Sequence, residues 1–570
     1  MSIAIEPPET TINQEGKLFS PVAIMFCVII GVIILLMIPL KLPVGPMYWD
    51  LIVYIDGAYR VSIGQVPSVD FFAPVGPLAY WLVAPLLTTF NNAQPLLLVQ
   101  WSLLLVSAPP MFVILAHVNH RSRSTAFALL LPFLFFQLSP MNVEQYSSYP
   151  SVDGYGIYNR HTSVLLYILV CGLIFIRGQR LLFIVVTWTC LALFLLKITG
   201  FIAAGLLCTF AFVAGRISMR VALGIVAAFL LALIALDATL GVIRAYLADI
   251  LLLVRLNEGN LLSRFLQASS VHFGILAPAA ALSVALFLLK TADLPSGQLE
   301  TPSAAAFGAL ARHLDRNSIW LAVAITAGLF FETQNTGGQA LILIWPVLLA
   351  ILLGARRLSG ASLILVLSFI GAAALPPFIN VAHRMARALV VQAKFVDVPN
   401  EGLKALGQVT QRPEIVERAA KMRAVYTRFP DTFQFLADGN LLPAFTLYSE
   451  LDFQVGWLLA TDEAVKAIHN FESANNIQFK TIMSLNFVNP FPFLLNRDAT
   501  RHIAIGADPS RAVPAPDAET LAAVAQTDLI LYPTCPITNA NDALFALYRP
   551  SMATHRPFVL SACWRGYVRQ

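Results

Sequence analysis

Val221-Ala222-Leu223-Gly224-Ile225-Val226-Ala227-Ala228-Phe229-Leu230-Leu231-Ala232-Leu233-Ile234-Ala235-Leu236 is an unbroken apolar run with no charged or strongly polar side chain. Similar runs recur, among them Pro21–Leu40 and Ala340–Leu353. In a bilayer every backbone N–H and C=O must be paired internally, which leaves only helices or a closed barrel. Barrel strands alternate apolar and polar residues, whereas these runs are continuous, so they predict membrane helices. The whole chain agrees: 58% of its 570 residues are hydrophobic, 12% are charged and the mean hydropathy is +0.72. A soluble chain carries about 25% charged residues.

On either side of that run about eleven spans are expected in all, several shorter than the ~20 residues of a straight crossing. They are Val22–Leu40, Pro95–Ala116, Thr125–Leu138, Ser163–Ile176, Leu181–Leu196, Ile198–Gly215, Val221–Leu240, His272–Leu289, Ser318–Phe331, Ala340–Leu353 and Ala361–Ile379. Positive charge sets their direction. Arg121, Arg123, Arg177, Arg180, Arg216, Arg220, Lys290, Arg312, Arg316, Arg356 and Arg357 all fall on alternate turns. Those turns are read as cytoplasmic, with the N-terminus inside and the first run, after Lys17, an uncleaved anchor. The outer stretch Gly241–Val271 departs from the pattern, with Arg244, Arg255 and Arg264. Leu78–Phe90 is read as a helix in the outer interface or partly re-entrant, because counting it as a span would put Arg121 and Arg123 outside. The expected location is a bacterial inner (plasma) membrane, multi-pass. The net charge of +5 is dispersed and forms no basic block, which argues against nucleic acid as a partner.

From about Pro399 charge, proline and asparagine rise and apolar runs shrink to strand length. Lys480–Phe487, His502–Ile505, Asp528–Leu531 and Phe558–Ala562 read as strands. Pro413–Tyr426, Thr461–Phe471, Ala518–Ala525 and Ala540–Tyr548 read as helices between them. The expected organisation is therefore a helical membrane domain over 1–398 and a periplasmic α/β domain over 399–570, the latter long enough for its own core. Cys27, Cys171, Cys190 and Cys208 lie in apolar runs as small core residues. Cys535 and Cys563 follow expected strands: neighbouring parallel strands would let them pair in an oxidising compartment, and strands that are not neighbours would leave two buried thiols.

The polar residues that carry chemistry collect in the outer loops. The first reads Tyr48-Trp49-Asp50-Leu51-Ile52-Val53-Tyr54-Ile55-Asp56-Gly57-Ala58-Tyr59-Arg60, then Gly64-Gln65-Val66-Pro67-Ser68-Val69-Asp70-Phe71-Phe72 and Pro74-Val75-Gly76-Pro77-Leu78. A carboxylate at the mouth of a span is costly unless wet or paired. Asp50 suits a general base that deprotonates an acceptor hydroxyl; the plainer alternative is a cap on the helix that follows.

The order Asp, Tyr four residues on, Ala-x-Arg, Gly-x-x-Pro, Asp-Phe-Phe and Gly-Pro-Leu resembles the first outer loop of the C-type glycosyltransferases. These polytopic membrane enzymes include protein mannosyltransferases and bacterial aminoarabinose transferases. The resemblance covers Asp50–Trp81, extends to the spans by architecture only, and hardly reaches the C-terminal part. It implies that Asp50 is catalytic, with Asp56 as its rival under two helical turns away, and that Asp70 turns the chain back toward the membrane. Two features depart from the pattern: Leu51 follows Asp50 where a second acid is common, and Ala73-Pro74-Val75-Gly76-Pro77 lacks the lysine usual before this element in aminoarabinose transferases.

The second outer loop runs through Glu144 and Tyr146 to Asp153, Gly154, Tyr155, Gly156, Tyr158, Arg160 and His161. The resemblance makes Asp153 the second acid. Arg160, through its planar fork, and His161 are candidates for a donor phosphate, against a reading of interfacial anchoring. Lys197, between two apolar runs, is either a snorkelling anchor or a phosphate partner. Glu332, Gln334 and Asn335 are candidates for sugar or acceptor contacts. No P-loop, dinucleotide fingerprint or Ser-His-Asp arrangement is present, no cofactor is expected, and two acids without histidine do not make a metal site.

The expected function is transfer of a sugar from a polyprenyl-phosphate-linked donor to an envelope lipid, glycan or protein on the periplasmic side. The alternatives are a non-enzymatic lipid or glycan transporter and an envelope assembly scaffold.

Overall fold

The computed structural model describes residues 20–45, 47–73, 75–143, 151–256, 261–289, 305–333, 339, 341–441 and 451–570. Each expected span overlaps helical backbone among the described residues, although the first helix ends at Leu36 and Ala340 lies outside them. Four helices are long and apolar enough to cross a membrane by themselves: Ile157–Phe175, Gln179–Leu196, Met219–Leu240 and Gly360–Gln392. Two bent pairs bring the number to as many as six, Pro95–Ser102 with Leu104–Asn119 (42°) and Leu262–Val271 with Phe273–Leu288 (87°). Pro21–Leu36, Leu78–Thr89, Arg123–Leu138, Ile198–Val213 and Asn317–Glu332 are apolar but shorter. At 1.5 Å per residue such helices rise about 24 Å or less, against a hydrocarbon core of about 30 Å. Apolar helices of this kind place the chain in a membrane.

Burial sorts the helices. Ile157–Phe175 is buried along nearly its whole length and forms the centre. Met219–Leu240 buries no residue, and Leu223, Leu231 and Ile234 are each more than 60% exposed, as a helix facing lipid requires. The outer stretch after Gly241 is helical over Val242–Leu256 and Leu261–Val271. The 87° bend then lays Leu262–Val271 across the direction of the helix that follows.

Strand β1 (Leu42–Pro43) follows the first span. It pairs in parallel with β3 (Val409–Gln411), which also pairs antiparallel with β2 (Val396–Asp397). Further on lie β4 (Thr481–Ser484), β5 (Asp498–Ala499), β6 (Leu529–Pro533), β7 (His555–Ser561) and β8 (Trp564–Arg569), in the order β5-β4-β6-β8-β7. The β4–β5 and β4–β6 pairs are parallel, and β8 pairs antiparallel with both β6 and β7. The helices Pro413–Arg428, Leu451–Asn475, Ala518–Ala525 and Asn539–Tyr548 cover the four helical stretches expected there. One apolar core is continuous from Val164 in the central helix, through Leu51 in the helix Tyr48–Ser62, to Trp457, Ile482, Leu529 and Trp564.

His502–Ile505 is not a strand of this sheet. Its backbone pairs instead with the first outer loop: Phe72 N–H donates to Ile503 O at 3.1 Å and Ile505 N–H to Phe72 O at 3.0 Å. The place beside β4 is taken by Asp498–Ala499, and Trp564–Arg569 is a strand the apolar pattern did not single out.

Cys535 and Cys563 are disulfide-bonded, with their Cα atoms 5.0 Å apart. They meet because antiparallel β8 lies beside β6 and Cys563 sits in the turn before it, not because two parallel strands end together. Intact-mass analysis of alkylated, non-reduced protein should show both cysteines unlabelled; label on both under denaturing conditions would exclude the bond.

Candidate active site

The helix Tyr48–Ser62 carries Asp50 in its first turn and is clamped at that end by the C-terminal region. Tyr48 N–H donates to Gln454 Oε1 at 2.7 Å, and Trp49 packs edge-on against Trp457, with ring centroids 4.7 Å apart. Lower down, a Cβ on Gly57 would lie 2.2 Å from the Tyr80 ring, so only glycine lets the Leu78–Thr89 helix approach this closely.

Asp50 is half-buried, and Oδ2 accepts a hydrogen bond from the Gly156 N–H at 3.2 Å. One turn on, the Tyr54 hydroxyl accepts from the Tyr158 N–H at 2.8 Å. The two side chains share a helix face at i,i+4 spacing and meet the first amides of the central helix Ile157–Phe175. Gly156 opens that helix at φ +59°, a left-handed conformation suited to glycine. A capping contact is thus present, but across the loops and not to the helix that Asp50 begins. Burial pushes the Asp50 carboxyl up to about 6; the Gly156 N–H and the charges of Arg511 and Arg160 oppose the rise, and Asp153 adds to it. A carboxylate titrating there is ionised at neutral pH yet basic enough to take a proton.

Asp153 is fully buried and each of its oxygens meets two donors. Oδ1 accepts from Arg160 Nη1 and Asn142 Nδ2, both at 2.9 Å, and Oδ2 from Arg384 Nη2 and the Asn142 N–H, both at 3.0 Å. Arg160 is also fully buried and spends Nε on Gln100 Oε1 at 3.0 Å, while His161 Nε2 lies 3.1 Å from Gln100 O. Arg160 and His161 therefore face inward, holding the second outer loop to the membrane helices. Gln100, Asn142 and Arg384 are members of this network that the sequence reading did not name. For Arg384 a signal existed: a charge one to two turns beyond an apolar run on the same uninterrupted helix.

Lys197 sits between the helices Gln179–Leu196 and Ile198–Val213. Its Nζ donates to Asn159 Oδ1 and lies 4.6 Å from the Phe331 ring centroid and 5.2 Å from that of Tyr158. Glu332 follows Phe331 and is buried, with Oε2 3.7 Å from His272 Nε2. Gln334 and Asn335 lie outside the described residues, as do Glu144 and Tyr146. A cavity of about 330 Å³ is lined by His272, Pro376, Pro377, Asn380, His383 and Arg384 among others. It lies between the bend at His272 and the two prolines of the long Gly360–Gln392 helix.

Asp56 occupies a different face of its helix. It is buried and paired with Arg60 at 2.9 Å, and Arg60 Nη1 donates to Thr500 O at 2.6 Å. Asp70 accepts from the Val66 N–H at 2.7 Å and from Arg501 Nη1 at 2.9 Å. Both acids tie the first outer loop to the segment before His502. Among the described residues no three His, Cys, Asp or Glu side chains gather as a metal site.

No family model matches the chain, and no curated protein matches it either. Among solved structures the chain is similar to ArnT from Cupriavidus metallidurans in its apo state, over 95% of this chain and 97% of that one, at 13% identity and a TM-score of 0.39. It is similar over the same shares, and at the same 13% identity, to ArnT from Cupriavidus metallidurans bound to undecaprenyl phosphate, with a TM-score of 0.43.

Proposed function

We propose that this chain is a membrane glycosyltransferase that moves a sugar from a polyprenyl-phosphate-linked donor to an envelope lipid, glycan or protein acceptor, with Asp50 as general base. The observation that carries this reading is the placing of Asp50. It stands at the head of a clamped helix, one oxygen fixed by the Gly156 N–H and its carboxyl raised to about 6, inside the loop motif that resembles the C-type glycosyltransferases. Inversion at the sugar needs a base on the acceptor and neutralisation of the departing phosphate.

For the phosphate the geometry favours Lys197 over Arg160. The Arg160 fork is engaged by Asp153 and Gln100, whereas Lys197 meets one amide oxygen and two aromatic faces. Arg160 and Asp153 act as the frame that carries Gly156, and through it Asp50. Arg384 joins that frame to the cavity wall, and the cavity between the bent helices is the place for the lipid-linked donor. Asp56 is assigned to docking. In this reading the protein lies in a bacterial inner membrane with Asp50, the loops and the region after Pro399 on the periplasmic face. A disulfide in that region accords with an oxidising compartment.

Lipid-linked sugars extracted from membranes with and without the protein test the reading. A glycosylated polyprenyl phosphate should accumulate when the chain is absent and fall when it is restored. An unchanged lipid pool would return the assignment to a transporter or an assembly scaffold.

A further inference from the structure

Glu332 ends the Asn317–Glu332 helix at 1% exposure, and neither of its carboxylate oxygens meets a hydrogen-bond donor among the described residues. Three physical terms act against a carboxylate there. Burial removes its water, the carbonyl end of the helix dipole repels negative charge, and His272 Nε2 at 3.7 Å is beyond hydrogen-bond reach. Buried polar atoms in folded proteins are nearly always paired, so a carboxylate this poorly served calls for a partner that brings the donors with it. Its surroundings narrow the partner. Lys197 holds its ammonium over the neighbouring Phe331 ring, and no ion pair joins Lys197 to Glu332 among the described residues. His272 places Glu332 beside the cavity that Arg384 and His383 also line. An ammonium over the Phe331 ring and a carboxylate on the next residue, with no direct ion pair between them, suit a ligand acidic at one end and rich in O–H donors at the next.

We propose that Glu332 is the residue that reads the donor's sugar, its two oxygens accepting hydrogen bonds from ring hydroxyls while Lys197 meets the phosphate one bond away. The assignment rests on the glycosyltransferase reading above. A carboxylate matches two adjacent hydroxyls, and an ionised acceptor strengthens each bond. Because a sugar hydroxyl would be the missing donor, Glu332 contributes to selection among lipid phosphates and not to their general capture.

Binding of two kinds of probe to purified protein in lipid nanodiscs tests this: bare C55 polyprenyl phosphate, and the same lipid carrying glucose, mannose, galactose or arabinose. Wild-type protein should bind at least one glycoside about tenfold to a hundredfold more tightly than the bare lipid, the range for hydrogen bonds to a charged group. Glu332→Gln should lose that preference while its affinity for the bare lipid changes by less than about twofold. Its thermal midpoint should stay at or above that of wild type, since a buried carboxylate without a hydrogen-bond donor gives way to a neutral amide; a residue kept for structure would lower it. A preference that survives in Glu332→Gln, or no sugar in the panel that adds to affinity, overturns the assignment while leaving the glycosyltransferase reading standing. Failure of wild-type protein to bind bare polyprenyl phosphate overturns both.

Discussion

Asp50→Asn should reduce sugar transfer by about 10²–10⁴-fold while the protein inserts, purifies and melts as wild type does. Asparagine keeps an oxygen for the Gly156 N–H, so the contact at 3.2 Å that ties the two outer loops survives. Only the capacity to take a proton is removed. The wild-type rate should depend on pH with a matching sign: Asp50 works as a base when ionised, and burial raises its carboxyl to about 6. Activity should therefore hold above that pH and fall below it, by about tenfold per unit once the base is mostly protonated. Asp56→Asn is the companion variant. Asp56 is paired with Arg60 against the segment at Thr500, so its loss should lower stability and leave the acid limb of the profile in place. Near-normal turnover in Asp50→Asn with a dead Asp56→Asn would transfer the role to Asp56; activity in both would take the loop out of the chemistry.

Asp153→Ala should cost about 3–5 kcal/mol of stability, the penalty for leaving a buried charge without its counter-ion. The substitution strips one carboxylate from two arginines at once: Arg160 at 2.9 Å, fully buried, and Arg384 at 3.0 Å, nearly so. Asp153→Asn, which keeps one acceptor and the shape, should fall between Ala and wild type. Removing a positive partner as well, in Asp153→Asn with Arg384→Gln, should cost less than the sum of the single changes, because the residues share one network. Thermal unfolding of the detergent-solubilised protein measures all four. Additive losses would show that the residues act independently, and an Asp153→Ala midpoint equal to wild type would show that the network does not bear on stability. Activity should fall together with stability in this series, since Asp153 lies three residues from Gly156 and so from the amide that holds Asp50.

Some of this was legible locally. A helix in lipid pairs its own backbone, so continuous apolar composition identifies it without knowledge of its neighbours, and the run at Val221–Leu236 falls within the helix Met219–Leu240. The C-terminal helices follow equally local rules: Ala518–Ala525 begins after Asp517, whose side chain accepts from the Thr520 N–H, and ends where it was expected to. The outer loop announces Asp50 because a carboxylate beside a span is costly and therefore noticeable.

Pairing was not legible. His502–Ile505 has the composition of a strand, but its partner is Phe72, more than four hundred residues earlier, and no local pattern encodes that choice. Arg160 has the fork of a phosphate ligand, yet Gln100 and Asp153 already occupy it. Glu332 is one polar residue among several in sequence and becomes informative only because no donor among the described residues meets its carboxylate. Cys535 and Cys563 could be paired or free until β8 was seen to lie beside β6. The apolar helices and the loop that carries the acids can be read from residue order alone, because hydropathy and the cost of charge beside lipid act residue by residue. Which of those side chains are spent on one another depends on the fold, because hydrogen bonds and ion pairs are satisfied in three dimensions between segments that the chain order keeps far apart.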